Sequence, residues 1–306
     1  MPRGVHGEKI VAALENEKLP ETDKPKLSEA LTKYDNWIKQ LNETTASSLD
    51  EMIEKLVNLL NEYKLYIDVE VIFDSHNDFL YREKGQLKID NTIMEEFLPV
   101  FIKKCLSTQN YDINNLNISS QIPTFSSMYF ESSLGIMGNG GGMHIKQKAQ
   151  DFSMSRPLYV KTSYSPSFDD SVTETTNLGY ILAEVKTNLD KTMFQEGSAT
   201  AHDVKQAVTG AKYFLLCDFL DMTPISTTTT DIDEILITRK AKRPSSNIRK
   251  SYNTYNGRQS KRTQYVQFLT DHPYSKDVLK RFFNHIISQL ANETLVEDSV
   301  LNLGYF

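Results

Sequence analysis

The sequence predicts a mixed α/β protein, with a helical N-terminal region over residues 1–109 and a sheet flanked by helices over residues 110–306. Two observations lead to this prediction. Apolar residues recur at steps of three and four through the first hundred residues, as they do on one face of a helix. From about residue 144, β-branched and aromatic runs alternate with helical patterns, which indicates strands and connecting helices.

Three helices are predicted in the N-terminal region. The first, over 23–41, starts with Asp23 as its N-cap and has Pro25 in its first turn. The second, over 47–67, starts with Ser48 and Glu51 at the spacing of a capping box. The third covers 92–106 and contains Pro99, which favours a bend. This region is either a plain structural lobe or an accessory region that contacts DNA or a partner.

The segment from 110 to 142 is rich in Asn, Ser and Gly and ends in "GNGGG", so a loop is predicted there. No GK[ST] follows, which argues against a phosphate-binding loop, although the segment could close over a bound duplex. The elements predicted after it alternate between strands and helices. They are strands over 157–165 and 178–187, a helix over 198–211, strands over 212–220 and 233–241, and a helix over 275–295.

Composition excludes several classes of protein. No apolar run approaches the roughly 18 residues that span a bilayer, and the first residues lack the apolar core of a secretory signal. With only two cysteines a disulfide framework is excluded, and a cytoplasmic protein is expected. The chain contains neither CxxC nor HExxH, so a zinc site is not expected. Its histidines form no pattern with Ser or Cys that would indicate acyl transfer.

One segment is strongly basic although the chain as a whole carries a net charge of −6. Residues 239–262 contain nine Lys or Arg and no acid, interleaved with Ser, Asn, Gln and Tyr. These residue types hydrogen-bond to phosphates and base edges. The segment is therefore a candidate for nucleic-acid contact, and a solvated basic loop is the alternative.

Two charged residues, Glu184 and Lys186, follow the apolar run of the predicted strand over 178–187. Side chains alternate along a strand, so Glu184 and Lys186 project from the same face. A carboxylate pair can hold Mg²⁺ and a neighbouring lysine can orient the attacking water, which is the chemistry of a phosphodiester hydrolase. A structural ion pair is the alternative. The second carboxylate would be Asp151, where the chain enters the predicted hairpin, or the pair Asp169 and Asp170 at its turn. In an antiparallel hairpin the turn lies far from Glu184, so the geometry favours Asp151.

These residues resemble a known nuclease motif. Asp151, Glu184 and Lys186 are similar to PD-(D/E)xK, with Gln150 in place of the proline. Three longer stretches resemble the Type II restriction endonucleases typified by BbvCI, which cut split sites such as CCTNAGC. These stretches are "QDF…RPLYVKTSYSPSF", "EVKTNLDKTMFQE…ATAHDVK" and "GAKYFLLCDFLDMTPISTTTTDIDE…RKAKR". The resemblance covers about residues 147–243, and the N-terminal helices match only in length and character.

The resemblance implies a Mg²⁺-dependent endonuclease of double-stranded DNA with the restriction-endonuclease αβββαβ core. Asp151 and Glu184 would hold the metal, the carbonyl of Val185 could add a ligand, and Lys186 would act on the water. Gln195 and Glu196 would orient the site or begin a helix. Recognition of a CCTNAGC-like or CTNAG-containing site is implied, by a homodimer or by a heterodimer with a related subunit. A DNA repair or recombination nuclease and a non-catalytic DNA-binding subunit are the alternatives.

The same resemblance suggests which residues contact DNA. The basic segment would supply contacts to the DNA backbone or to guanine edges, and residues outside it would add phosphate contacts. For Lys191 and His202 the alternative is that they are exposed, solvated residues. The candidates are Arg239, Lys240, Lys242, Arg243, Arg249, Lys250, Arg258, Lys261 and Arg262 in the basic segment, with His144, Lys146, Lys148, Lys191 and His202 elsewhere.

Overall fold

The N-terminal region is helical, as the apolar periodicity predicts. The computed structural model describes residues 3–135, 138–291, 301, 302 and 304. The helices in this region are α1 (Val5–Leu14), α2 (Lys24–Glu43), α3 (Leu49–Tyr66), α4 (Phe79–Leu87) and α5 (Thr92–Thr108), and a π-helical segment (Ile67–Phe73) extends α3. Within these ranges, no helix is long and apolar enough to cross a membrane.

The predicted helix starts are correct in position but differ in their hydrogen bonds. Ser48 caps α3 by accepting from the backbone N–H of Glu51, whereas the reciprocal bond to the Glu51 carboxylate comes from the N–H of Ser47. Asp23 stands at the N-cap of α2 but makes no capping bond. Its buried carboxylate instead accepts the Ser75 hydroxyl at 2.8 Å, which ties the start of α2 to the segment after the π-helical turn.

A mixed sheet forms the second part of the molecule and confirms the predicted fold class. The strands are β1 (Asn117–Ser119), β2 (Ile122–Phe130), β3 (Met143–Gln150), β4 (Phe152–Thr162), β5 (Val172–Leu189), β6 (Lys212–Leu220) and β7 (Glu234–Lys242). In the described residues, the main sheet has the order β1-β4-β5-β6-β7, and β2 pairs with β3 in a separate hairpin. β4 is antiparallel to β1 and β5, whereas β6 is parallel to β5 and β7.

The connections within the sheet follow the αβββαβ order of the restriction-endonuclease core. Helix α6 (Lys191–Lys205) connects β5 to the parallel strand β6, as a parallel pair requires. The first helix of the core is α5, which lies inside the region 1–109 that the sequence assigns to the N-terminal part. The remaining helices are α7 (Ser246–Ser251), α8 (Tyr255–Asp271) and α9 (Lys276–Leu290). The last part of the predicted C-terminal helix, from residue 292, lies outside the described residues.

The predicted loop over 110–142 is wrong in its middle, because β1 and β2 both lie there. The Ser and Asn content suggested irregular chain, but Ile122–Phe130 forms hydrogen bonds with Met143–Gln150. Long-range pairing of this kind overrides a weak local preference. The "GNGGG" run is the turn of this hairpin, where Gly140, Gly141 and Gly142 all have positive φ.

The main sheet is covered on both faces. Ile181, Ala183 and Val185 of β5 belong to a cluster that includes the N-terminal helices and α9. Leu182 and Leu189 belong to a second cluster with residues of α6 and β6. Burial on both faces explains why β5 is almost continuously apolar, and it makes two charges within that strand costly unless they are paired.

Candidate active site where strands β4 and β5 meet

The structure brings Asp151 and Glu184 next to each other. Phe152 pairs with Ala183 at the start of β4, so the preceding residue, Asp151, lies beside Glu184 on the neighbouring strand. Asp151 Oδ2 accepts the backbone N–H of Val185 at 2.8 Å, which fixes the carboxylate against β5. The hairpin therefore places the upstream candidate acid, and not the turn pair, beside Glu184.

The two charged residues at the cleft end of β5, Glu184 and Lys186, are paired with each other. Lys186 Nζ lies 2.7 Å from Glu184 Oε1, and the two side chains are 26% and 21% exposed. The buried Tyr213 on β6 donates its hydroxyl to Glu184 Oε2 at 3.1 Å. These contacts hold the Glu184 carboxylate in one orientation. They also explain how a strand buried on both faces tolerates a carboxylate and an ammonium near its end.

The electrostatics of the pair favour a charged lysine. Burial lowers the pKa of Lys186, but its hydrogen bond to Glu184 and the charges of Glu184 and Asp151 outweigh that effect, so its pKa is raised overall. Burial also raises the pKa of Asp151, the Glu184 charge adds to the rise, and the Val185 N–H opposes it. Lys186 is therefore an ammonium at neutral pH, suited to orient water or stabilise negative charge. It is not poised to act as a neutral base.

A third carboxylate, which was not predicted from the sequence, lies close to this pair. Glu95 of α5 is 1% exposed, and Gln121 Nε2 donates both to Glu95 Oε2 at 2.8 Å and to Asp151 Oδ1 at 3.1 Å. Burial, together with the charge of Asp151, raises the pKa of Glu95 to about 7. The signal in the sequence was an acid on the apolar stripe of α5, three and seven residues before Leu98 and Ile102.

The donor set suits a hard divalent cation. Among the described residues, no three or more His, Cys, Asp or Glu side chains form a ready metal cluster. Asp151 and Glu184 would therefore supply two carboxylates, and further ligands would be the Val185 carbonyl, phosphate and water, as is usual for Mg²⁺. The buried amide Nε2 of Gln150, the residue before Asp151, has no hydrogen-bond partner among the described residues.

The carboxylates open into a cleft of about 780 Å³. The cleft is lined by residues of α4, of the segment after it and of α5, by the ends of β5 and β6, and by residues of α7 and α8. The charged residues that line the cleft include Arg82, Lys84, Lys88, Glu95, Asp151, Glu184, Lys186, Arg243 and Arg249. A smaller cavity of about 210 Å³, lined in part by Lys148, Gln150 and Tyr213, also borders Asp151 and Glu184.

The alternative acids lie at the other end of the hairpin. Asp169 and Asp170 are in the turn between Thr162 and Val172, where Ser167 and Ser163 donate their hydroxyls to them. From Val172 to Glu184 the strand rises by roughly 40 Å, at about 3.3 Å per residue. This separation places Asp169 and Asp170 beyond reach of any group bound at Glu184.

Two residues predicted to contact DNA are instead buried in the protein. Arg239 is 4% exposed; its guanidinium donates to the His272 carbonyl at 2.9 Å and stacks on Tyr274. Arg258 is 0% exposed and donates to the carbonyls of residues 73, 75, 77 and 252 and to the Asp78 carboxylate. Arg258 joins residues 73–78 of the N-terminal region to helix α8, and Arg239 of β7 lies 3.6 Å from Asp68 in the π-helical segment. The prediction that Arg239 and Arg258 contact DNA is therefore wrong, and both have a structural role.

The other cations of the basic segment are on the surface or in the cleft. Arg243 and Arg249 line the cleft, and Arg243 also pairs with Asp221 at 2.8 Å. Lys240 and Arg262 form exposed ion pairs with Asp277 and Asp74. Lys242, Lys250 and Lys261 have no ion pair within the described residues.

The candidates outside the basic segment lie around α6 and the hairpins. Lys148 pairs with Asp203, His202 with Asp231 and His144 with Glu131, whereas Lys146 and Lys191 are exposed. The start of α6 is capped by Asp190, which accepts from the N–H of Met193, so Gln195 and Glu196 do not begin the helix. Glu196 is exposed, and its charge adds to the raised pKa of Lys186.

Comparison with known proteins shows a family and a solved structure to which the chain is similar. The family described as Bpu10I restriction endonuclease matches residues 86–306. A solved structure described as the native BbvCI A2B2 tetramer at low resolution is 18% identical, covers 78% of this chain and 97% of its own, and has a TM-score of 0.37. No curated protein matches the chain.

Proposed function

The chain belongs to the Bpu10I restriction endonuclease family and is therefore a Type II restriction enzyme, and from this premise we propose that Asp151, Glu184 and Lys186 form its PD-(D/E)xK active site. The observation that supports the proposal is the adjacency of the two carboxylates on paired strands, with an ammonium 2.7 Å from one of them, in an open cleft. The reaction is hydrolysis of phosphodiester bonds in double-stranded DNA.

Each residue of the proposed active site has a separate role. Asp151 and Glu184 hold Mg²⁺, with the Val185 carbonyl as a further ligand. Bound there, Mg²⁺ neutralises charge on the phosphate and lowers the pKa of a bound water. Lys186, which is cationic, orients the attacking water and stabilises the charge that develops on the phosphate oxygens. Tyr213 keeps the Glu184 carboxylate in position through its hydroxyl.

A duplex has two strands, whereas the proposal gives each chain one active site. The enzyme therefore acts as a homodimer or as a heterodimer with a related subunit, with each site cutting one strand. The proposed recognition site is CCTNAGC-like or contains CTNAG. A purified chain that cuts both strands of such a site by itself would reject the heterodimer.

The experiment is digestion of supercoiled plasmid by the full-length protein with Mg²⁺, followed by sequencing of the ends. We expect discrete fragments whose ends share one short sequence. Glu184→Ala should reduce the cleavage rate by more than about a hundredfold and retain DNA binding in EDTA. The matched control is Glu174→Ala, which removes an exposed acid from the same strand, distant from the cleft.

Other outcomes would favour the alternative functions. A smear, or cutting that requires branched DNA, would indicate a repair or recombination nuclease. If Glu184→Ala leaves the activity of the preparation unchanged, the Glu184–Lys186 pair is only structural and the chain is a non-catalytic DNA-binding subunit.

A further inference from the structure

The N-terminal helical region builds part of the cleft that contains the candidate active site. Helix α4 and the residues after it contribute Arg82, Lys84 and Lys88 to the same cleft that Asp151 and Glu184 border. None of these three cations belongs to the basic segment 239–262. The helical region therefore contributes three cations of its own to this cleft.

Lys88 has an unusual backbone conformation. It is the C-cap of α4, with φ 55° and ψ 26°, in the left-handed region. Glycine is favoured at this position of a helix, because a Cβ atom crowds the following carbonyl there. Lysine therefore occupies a position where glycine would have the lower backbone energy, which indicates that the side chain has a role.

The Lys88 ammonium is available to a ligand. Among the described residues it forms no ion pair or hydrogen bond, and it is exposed. Its neighbours in the wall are engaged: Arg82 donates to the Asn253 carbonyl at 3.2 Å, and Lys84 lies 3.9 Å from Asp90 and over the Tyr81 ring.

Lys88 lines the same cleft as Asp151, Glu184 and Lys186. A DNA backbone lying in that cleft would therefore pass both the Lys88 ammonium and the candidate metal ligands.

We propose that Lys88 binds a phosphate of the DNA strand being cut, next to the scissile bond, so that the helical region holds the duplex against the active site. The inference rests on the proposed function and adds a phosphate-binding residue to it. In the bound complex the ammonium replaces water around one phosphate oxygen, and the duplex releases the counterions condensed there.

The test is Lys88→Gly in the full-length protein. Glycine removes the ammonium and suits the backbone at φ 55°, so we expect the thermal midpoint to equal or exceed that of the wild type. Binding is measured with a short mixed-sequence DNA duplex in EDTA, across a series of salt concentrations. We expect about tenfold weaker binding, as for loss of one charge-assisted bond, and a salt slope shallower by about 0.9.

Two variants serve as controls. Lys88→Arg keeps the cation and should retain wild-type affinity within a factor of about three, because guanidinium also binds phosphate. Lys39→Ala removes a lysine from α2 that does not line the cleft, and it should leave both affinity and salt slope unchanged.

Failure of the inference can be distinguished from failure of the proposed function. If the wild type binds and cuts DNA but Lys88→Gly binds with unchanged affinity and salt slope, the Lys88 proposal is refuted and the active-site proposal remains. If the wild type neither binds the duplex nor cuts plasmid, both proposals fail.

Discussion

Replacing Glu95 with Gln should stabilise the folded protein at neutral and alkaline pH but not near pH 4.5. The pKa of Glu95 is raised from 4.5 to about 7 by burial and by the charge of Asp151. The folded state therefore holds the proton more tightly than the unfolded chain does. Ionised Glu95 destabilises the fold, and the stability that the protonated group contributes is lost as the pH rises from about 4.5 to about 7.

The size of the effect follows from the shift. The pKa rise from 4.5 to about 7, at about 1.36 kcal/mol per unit, corresponds to a penalty of about 3 kcal/mol at pH 8. The substituted glutamine keeps the size of the side chain and retains an oxygen to accept from Gln121. The free energy of unfolding of Glu95→Gln should therefore match that of the wild type near pH 4.5. It should exceed the wild-type value by up to about 3 kcal/mol above pH 7.

The assay is urea denaturation at a series of pH values between 4.5 and 8.5, with both proteins in the same salt. Glu51→Gln is a control of opposite sign, because bonds to Lys55 and Ser47 lower the pKa of Glu51 to about 2. Removing that carboxylate should destabilise the protein at neutral pH. A stability difference for Glu95→Gln that is constant across the whole range would refute the burial argument.

Two further predictions concern residues that hold the site in place. Arg258→Ala leaves a set of buried carbonyls and the Asp78 carboxylate without their donor, so it should lower the free energy of unfolding in urea by about 3–5 kcal/mol. The control, Arg262→Ala, removes the exposed Arg262–Asp74 pair and should lower it by under about 1 kcal/mol. A similar loss in both variants would contradict the structural role given to Arg258. Tyr213→Phe removes the hydroxyl that orients Glu184, so plasmid cleavage should slow by about tenfold with little change in stability; an unchanged rate would show that this bond does not position the carboxylate.

Much of the fold could be predicted because local and tertiary preferences agree. Strand β6 is found at the predicted residues, Lys212–Leu220, since seven of its nine residues are apolar and it is buried on both faces. Strand β2 was missed because its residues favour a strand only when β3 lies beside them. A pairing partner distant in the chain leaves little trace in a short window of sequence.

The candidate site could be predicted where charged residues occur in an otherwise apolar strand. Glu184 and Lys186 were conspicuous because charges in an apolar strand need a reason, and hairpin geometry then selected Asp151 over the turn pair. The basic segment was less informative. A run of positive charge does not show that Arg239 and Arg258 turn inward, since their acceptors are carbonyls and acids from distant parts of the chain.

The central claim is that the carboxylate at the start of β4, beside Glu184, is the one that serves the reaction. The most direct measurement is the single-turnover rate of plasmid cleavage by Asp151→Asn, compared with Asp170→Asn at the far end of the same hairpin. The substitution at Asp151 keeps the shape of the side chain but removes its charge, so we expect a loss of more than about a hundredfold, whereas Asp170→Asn should cut at the wild-type rate. Wild-type cleavage by Asp151→Asn, or an equal loss in both variants, would contradict the assignment of the active site.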